Sequence, residues 1–343
     1  MRKLHCLFAS TYSWALQIGL DTSCKLKTIC YAAAATLLTF SCTPLPIEAS
    51  KPFGREPSFT IISSEADGLK GDKRKINLKL TTGFPTGNGP FPVVVILHGS
   101  GNMNGRDAEL GKILIQNNIA WIGVQSFNSR RLENTDYFLR LAKANIFDQV
   151  NDAYAALDFI QKHPDLDSEK VALTGFSLGG TSAAVVASGF QNERANGLKF
   201  KYFLSMYGGC LFENSNEVSG VKIDFVWGLD DSSTPKSDCE HMKKSFQKQG
   251  AQANSYFLQN TKHGWFSRKN TVSKSSFQGC HTTIFEKSLK VSGGGQNLTL
   301  DSPSDMSAMK SFGKLCHKKV PYILEANAYA EKFSADLLIK NTK

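Results

Sequence analysis

Residues 171–184 read VALTGFSLGGTSAA. A β-branched, apolar run ends in Gly175-Phe176-Ser177-Leu178-Gly179, and small residues follow. The run predicts a strand buried on both faces of a sheet. The small apolar stretch from Leu178 to Ser188 predicts a helix that packs closely on that sheet. Ser177 therefore falls on a tight strand-to-helix turn. Such a turn strains the serine backbone, and glycine is needed on either side because a Cβ there would meet neighbouring elements. The turn pushes Oγ out at the top of the sheet. It also aims the first free amides of the helix at the same spot, where an anion is favoured. That arrangement suits an oxyanion, with the Leu178 amide as one donor. G-x-S-x-G by itself arises by chance; the strand before it and the helix after it are the context that gives it meaning.

Outward from this turn the same rhythm recurs. Strands are predicted at 59–64, 75–80, 93–97, 119–126, 201–208, 221–228 and 254–259, and helices at 107–116, 145–162 and 236–249. In the 145–162 segment Ile146, Val150, Ala153, Leu157 and Ile160 share one helical face. It stops at His163-Pro164, as a helix should before proline. Strands alternating with helices imply an α/β fold, a mostly parallel central sheet with helices on both faces. Residues 50–343 are read as one such domain. Within it, 267–304 is rich in Ser, Lys and Gly and is expected to be an irregular insertion, and 321–339 a closing helix. Asn297-Leu298-Thr299 fits a glycosylation sequon.

A serine hydroxyl needs a base at neutral pH. Two further strand ends supply partners: FVWGLDDSSTP (225–235) ends in Asp230 and Asp231, and YFLQNTKHGWF (256–266) carries His263. The order Ser, Asp, His is that of α/β-hydrolases. All three positions fall just past strand C-termini, where open α/β sheets bind ligands. An earlier strand leads into VVVILHGSGNMNGRD (93–107), whose glycines allow backbone amides to approach an intermediate. Ser100 is the favoured second oxyanion donor, with Gly99 and Gly101 as alternatives. His98 is expected to organise that loop rather than act as a base. Met103 and Trp265 are candidates for an acyl pocket, with plain apolar packing the competing reading.

With these residues in hand, the chain resembles the dienelactone hydrolase family of α/β-hydrolases. The resemblance rests on VVVILHGSGN, ALTGFSLGGTSA, FVWGLDDSSTP and TKHGWF, and extends from about Lys75 to Trp265. In that family the aspartate lies three residues after a glycine and four before a proline. Counted from Gly228 and from Pro235, both land on Asp231, with Asp230 as the alternative. The family's histidine falls on His263. Dienelactone hydrolases proper carry cysteine as nucleophile, and Ser177 departs from that. The resemblance therefore implies a serine esterase acting on a small-molecule ester through an acyl-enzyme. The alternatives are a serine peptidase of prolyl-oligopeptidase type and a non-catalytic binding protein on the same scaffold. MYGGC and KSDCEHM resemble stretches of exported relatives, which implies a Cys210–Cys239 bridge and Cys280–Cys316 as the complementary pair.

The first residues read differently. Lys25 and Lys27 precede TICYAAAATLLTF (28–40), then Cys42, two prolines and IEAS. A basic region, a short apolar run and a small-residue exit form an export signal, with cleavage expected after Ala49. The alternatives are lipid attachment at Cys42 and a leader that stays as a membrane anchor. Four cysteines lie in the leader, and the other four, Cys210, Cys239, Cys280 and Cys316, allow three pairings. None has C-x-x-C spacing and no histidine completes a zinc pattern, so neither metal nor cofactor is expected. The formal net charge is +10. Without residues 1–49 it is +8, and an exported protein of that charge suits loose association with an anionic envelope surface, a generally solvated basic surface being the alternative. No basic run with interleaved aromatics is present, which argues against nucleic acid.

Overall fold

The computed structural model describes residues 57–266, except 67–71, 104, 136–139, 142, 191, 196 and 211. It then describes 271–273, 276–277, 281–285, 288–293, 296–300, 317–318 and 322–343. The chain divides into two units, Met1–Ala49 and Ser50–Lys343. The first unit, which is the predicted leader, lies outside the described residues, as do Cys280, Cys316 and the side chain of Asn297.

The second unit is built on an eight-stranded sheet. In chain order its strands are β1 (Ser58–Ala66), β2 (Asp72–Gly83), β3 (Phe91–Leu97), β4 (Ala120–Val124), β5 (Leu166–Phe176) and β6 (Tyr202–Met206). The short β7 (Phe212–Asn214) belongs elsewhere, and β8 (Lys222–Gly228) and β9 (Gln252–Leu258) complete the sheet. The spatial order is β1-β2-β4-β3-β5-β6-β8-β9. β1 and β2 run antiparallel, and from β4 to β9 every pair is parallel. Six helices flank it among the described residues: α1 (Gly105–Gln116), the short α2 (Ser126–Ser129), α3 (Ile146–Lys162), α4 (Leu178–Ala187), α5 (Lys236–Lys248) and α6 (Ala328–Thr342).

Strand alternation divides the core in two. Val93, Val95 and Leu97 join the apolar cluster that includes Val150 and Leu157 of α3, Ala183 of α4 and Phe246 of α5. Val94 and Ile96 face the other way, into the cluster with Leu110 and Leu114 of α1 and Leu338 of α6. Successive side chains of a strand point to opposite faces, so a continuous apolar run is what a sheet covered on both sides requires. α3 starts at a capping box: Asn145 accepts from the Phe147 N–H at 2.9 Å, and Asp148 accepts from the Asn145 N–H at 2.9 Å. Such a cap contributes about 1 kcal/mol. The buried Arg130 then ties α3 to the sheet edge, pairing with Asp152 at 2.7 Å while Ser63 of β1 donates to the same carboxylate at 2.6 Å.

Two expectations are corrected. The 267–304 segment is not irregular throughout. β12 (His281–Phe285), β13 (Ser288–Gly293) and β14 (Gln296–Leu300) form a four-stranded sheet in the order β14-β13-β12-β7. Gly293 of β13 pairs with Gln296 of β14, and the β-branched content of HTTIF outweighs its polarity. The short β11 (Ser276–Phe277) pairs antiparallel with β15 (His317–Lys318), and β10 (Thr271–Ser273) belongs to a separate two-stranded pair. The closing helix starts later than 321: Tyr322–Leu324 is strand β16, paired with β10, and α6 begins only after Asn327. Asn327 caps it, accepting from the Ala330 N–H at 3.1 Å.

Candidate active site

Ser177 sits between β5 and α4 at φ +52° and ψ −110°. A positive φ at a residue with a Cβ stores roughly 1–3 kcal/mol. The glycines explain how the turn closes. A Cβ at Gly175 would lie 2.2 Å from the Gly179 backbone, and one at Gly179 would lie 2.2 Å from the Leu97 carbonyl. β3, β5 and α4 therefore touch backbone to backbone, which only glycine permits. The Ser177 N–H donates to Met206 O at 3.0 Å, and its carbonyl accepts from the Thr181 N–H at 2.9 Å. The Leu178 N–H belongs to the first turn of α4, where no intrahelical acceptor exists.

The imidazole and the carboxylate arrive on adjacent loops after β8 and β9. These loops are in contact: the Asp230 N–H donates to Thr261 O at 3.0 Å, and a Cβ at Gly228 would lie 2.1 Å from that oxygen. His263 Nε2 is 3.0 Å from Ser177 Oγ, and Nδ1 is 2.6 Å from Asp231 Oδ2. These partners assign the tautomer: Nδ1–H donates to the carboxylate and Nε2 accepts from the serine hydroxyl. Asp231 Oδ1 accepts from the Ser233 N–H at 2.9 Å and the Ser233 hydroxyl at 2.6 Å. Burial alone would push the Asp231 carboxyl upward. The facing His263 ring and the hydrogen bonds from His263 and Ser233 outweigh it and hold the group below the usual carboxylate value. Asp230, the alternative, points outward and is exposed. The edge of Tyr207 meets the His263 ring with centroids 4.8 Å apart, and Trp265 packs on Tyr207 at 4.4 Å.

The His263 loop is strapped from behind by chain that returns after the insertion. The Glu325 N–H donates to His263 O at 3.1 Å and the Asn327 N–H to Trp265 O at 3.0 Å. Asn327 Nδ2 also donates to Asn260 O and to Thr261 Oγ1. The α5 side is held by the Cys210–Cys239 disulfide, which joins the loop after Tyr207 to α5. In that loop the Gly208 carbonyl accepts from Trp227 Nε1 at 2.9 Å.

The third strand end is the loop after β3. A Cβ at Gly99 would lie 3.6 Å from the Ser177 Cβ, so this loop passes directly over the serine. His98 is fully buried and takes the organising role expected of it. Its Nδ1 donates to Gly99 O at 2.8 Å and its Nε2 faces the Phe127 N–H at 3.4 Å. Burial pushes its pKa down to about 4, so the ring is neutral. Met103 lies over Gly123, where an added Cβ would meet its methyl at 2.7 Å, and Trp265 is wholly buried. Trp265 is thus a packing residue here, whereas Met103 is half-buried.

Ser177, Asp231 and His263 are brought together as a connected chain of hydrogen bonds, with Leu178 and the Ser100 loop beside the serine. Sequence reasoning missed Ser233, Tyr207, Gln149, Arg140 and Asn327. Ser233 carried a readable signal, since Asp-x-Ser in a turn lets the carboxylate accept from the backbone two residues on. The others touch the site across long stretches of chain and carried none. Among the described residues, no cluster of His, Cys, Asp and Glu offers a metal its ligands.

Comparison with known proteins bears on this geometry. A model of the dienelactone hydrolase family matches residues 82–283, more than half of the chain. No curated protein matches the sequence. Among solved structures, a dienelactone hydrolase-like promiscuous phosphotriesterase from metagenomic libraries aligns at 16% identity with TM-score 0.53, covering 84% of this chain and 99% of that one. A putative dienelactone hydrolase from Klebsiella pneumoniae aligns at 18% identity and TM-score 0.48, over 60% and 88% of the two chains. An esterase from Pyrobaculum calidifontis aligns at 18% identity and TM-score 0.45, over 62% and 79%. The first of these is similar in fold over nearly the whole of its own length.

Proposed function

The chain belongs to the dienelactone hydrolase family of ester-acting hydrolases, and from that premise we propose that it cleaves carboxylic esters with Ser177 as nucleophile. Ser177 Oγ attacks the ester carbonyl while His263 Nε2 takes its proton. Asp231 keeps the imidazole in the correct tautomer and balances the charge it gains. The Leu178 amide and an amide of the 99–101 stretch stabilise the oxyanion. His263 returns the proton to the leaving alcohol, and an acyl-enzyme remains. Water, deprotonated by the same ring, then releases the acid. The observation that carries this reading is the unbroken contact from Ser177 Oγ through His263 to Asp231, at 3.0 and 2.6 Å.

A fluorophosphonate probe tests the nucleophile, and p-nitrophenyl acyl esters compared with peptide anilides test the bond cleaved. Labelling of Ser177 together with ester turnover supports the reading. Turnover of anilides alone would replace it with a peptidase, and silence toward probe and esters would leave a binding protein. The proposal extends to place: an exported protein cleaved after Ala49, which N-terminal sequencing of the mature chain would check.

A further inference from the structure

Three consecutive carbonyls of the loop over Ser177 are each engaged by a donor of the chain. The His98 carbonyl accepts from Gln149 Nε2 at 3.0 Å, and Ser182 Oγ donates in turn to Gln149 Oε1 at 2.7 Å. The Gly99 carbonyl accepts from His98 Nδ1 at 2.8 Å and from the Asn102 N–H at 3.0 Å. The Ser100 carbonyl accepts from Arg140 Nη1 at 2.9 Å. The peptides are trans, and in a trans peptide the N–H points opposite to the preceding carbonyl. Holding these carbonyls therefore fixes the directions of the Gly99, Ser100 and Gly101 N–H groups, each opposite its own peptide's carbonyl. None of the described backbone hydrogen bonds of turns and loops uses the Ser100 or Gly101 N–H.

Of the groups that hold these carbonyls, Arg140 alone is a cation. Its guanidinium lies over the Phe127 ring at 5.5 Å, and its other arm, Nη2, donates to Thr135 O at 2.8 Å. Both described hydrogen bonds thus go to carbonyls, one of them in the loop over the serine. We infer that Arg140 is a positioning residue for the oxyanion site: it holds the Ser100–Gly101 peptide so that the loop's amides face the carbonyl under attack. A cationic donor on the Ser100 oxygen also polarises that peptide and strengthens its N–H as a donor. This inference rests on the ester-hydrolysis reading.

The test uses the full chain with Arg140→Ala and Arg140→Lys, and two substrates: a p-nitrophenyl acyl ester and its thiono counterpart. Sulfur in place of the carbonyl oxygen accepts amide hydrogen bonds poorly, so the thionoester draws little on the oxyanion site. Arg140→Ala is expected to lower kcat on the oxygen ester by about 10²-fold with KM little changed. The thionoester should lose far less, and added ethylguanidinium should restore part of the oxygen-ester rate in Arg140→Ala but not in the parent. Arg140→Lys, which keeps the charge but not the fork, should fall between. It also carries the test should the alanine variant fold poorly. Equal losses on both esters without rescue, or an unchanged kcat, would overturn the inference while leaving the ester reading intact. A parent protein without Ser177-dependent ester turnover would overturn both.

Discussion

Two pieces of backbone meet over the same point, and they are held there by different physics. The turn at Ser177 is enforced locally. Gly175 and Gly179 allow contacts of about 2 Å to an imagined Cβ, and the strained serine follows from that closeness. The loop at Gly99–Asn102 is closed less tightly, by the Asn102 N–H on the Gly99 carbonyl at 3.0 Å. It is also shaped by groups that arrive from elsewhere: Gln149 from α3, the Phe127 N–H and the Asn128 side chain from the chain after β4, and Arg140. One half of the site is thus made by steric exclusion and the other by hydrogen bonds to carbonyls. The first kind is stiff and intolerant of a methyl group. The second is adjustable and sensitive to the loss of one partner.

The largest expected effect removes the nucleophile from the stiff half. Ser177→Ala should lower ester turnover by at least about 10⁵-fold with an unchanged melting temperature. Near-parental turnover would dissolve the assignment on which the contrast is built. Next, Asp231→Asn should lower kcat by roughly 10³–10⁴-fold, because the amide can present its N–H to Nδ1 and favour the wrong tautomer. Asp230→Asn, at an exposed position, should leave kcat within about twofold. The reverse ranking would move the carboxylate to the other residue.

Gly179→Ala probes the steric half by stability. The added methyl would meet the Leu97 backbone, which cannot swing aside, so a cost of roughly 3–5 kcal/mol is expected in urea unfolding. Gly105→Ala, where a Cβ meets nothing within 4 Å, should be neutral or slightly stabilising. Equal effects at the two glycines would show that the turn is not sterically enforced.

The smallest effect tests the hydrogen-bonded half through pH. His98 has a folded pKa of about 4, below the ordinary value of 6.5, so the unfolded chain takes up the proton first. Its contribution is present above pH 6.5 and is lost as the pH falls through that window toward 4, amounting to about 3 kcal/mol. His98→Gln should flatten the profile of unfolding free energy between those pH values. A parental profile already flat there would mean that the ring is not held neutral.

Most predicted strand and helix ends through β9 differ from the observed ones by a residue or two, because alternation and helical periodicity are short-range signals; β2 runs three residues further at each end and β5 starts five residues earlier. The strands of the insertion are hard to read from sequence for a related reason. Its β-branched residues were outnumbered by Ser, Lys and Gly, and the pairing of β12 with β7 joins residues about 70 apart. The start of α6 shifted because Asn327 caps it, and that asparagine is fixed by contacts to the His263 loop as well.

By itself, the chain of residues determined the alternating sheet, the glycine-bounded turn at Ser177 and the order in which a serine, a carboxylate and an imidazole follow strand ends. These depend on neighbours within a few positions, whose sterics and side-chain period are the same in any fold. Only the tertiary structure decided that Asp231 rather than Asp230 is buried against His263, that Ser233 and Tyr207 fix the pair, and that Arg140 reaches the Ser100 carbonyl. Those contacts join segments far apart in the chain. Their geometry comes into being only when the sheet has closed and the loops at its rim are pressed together.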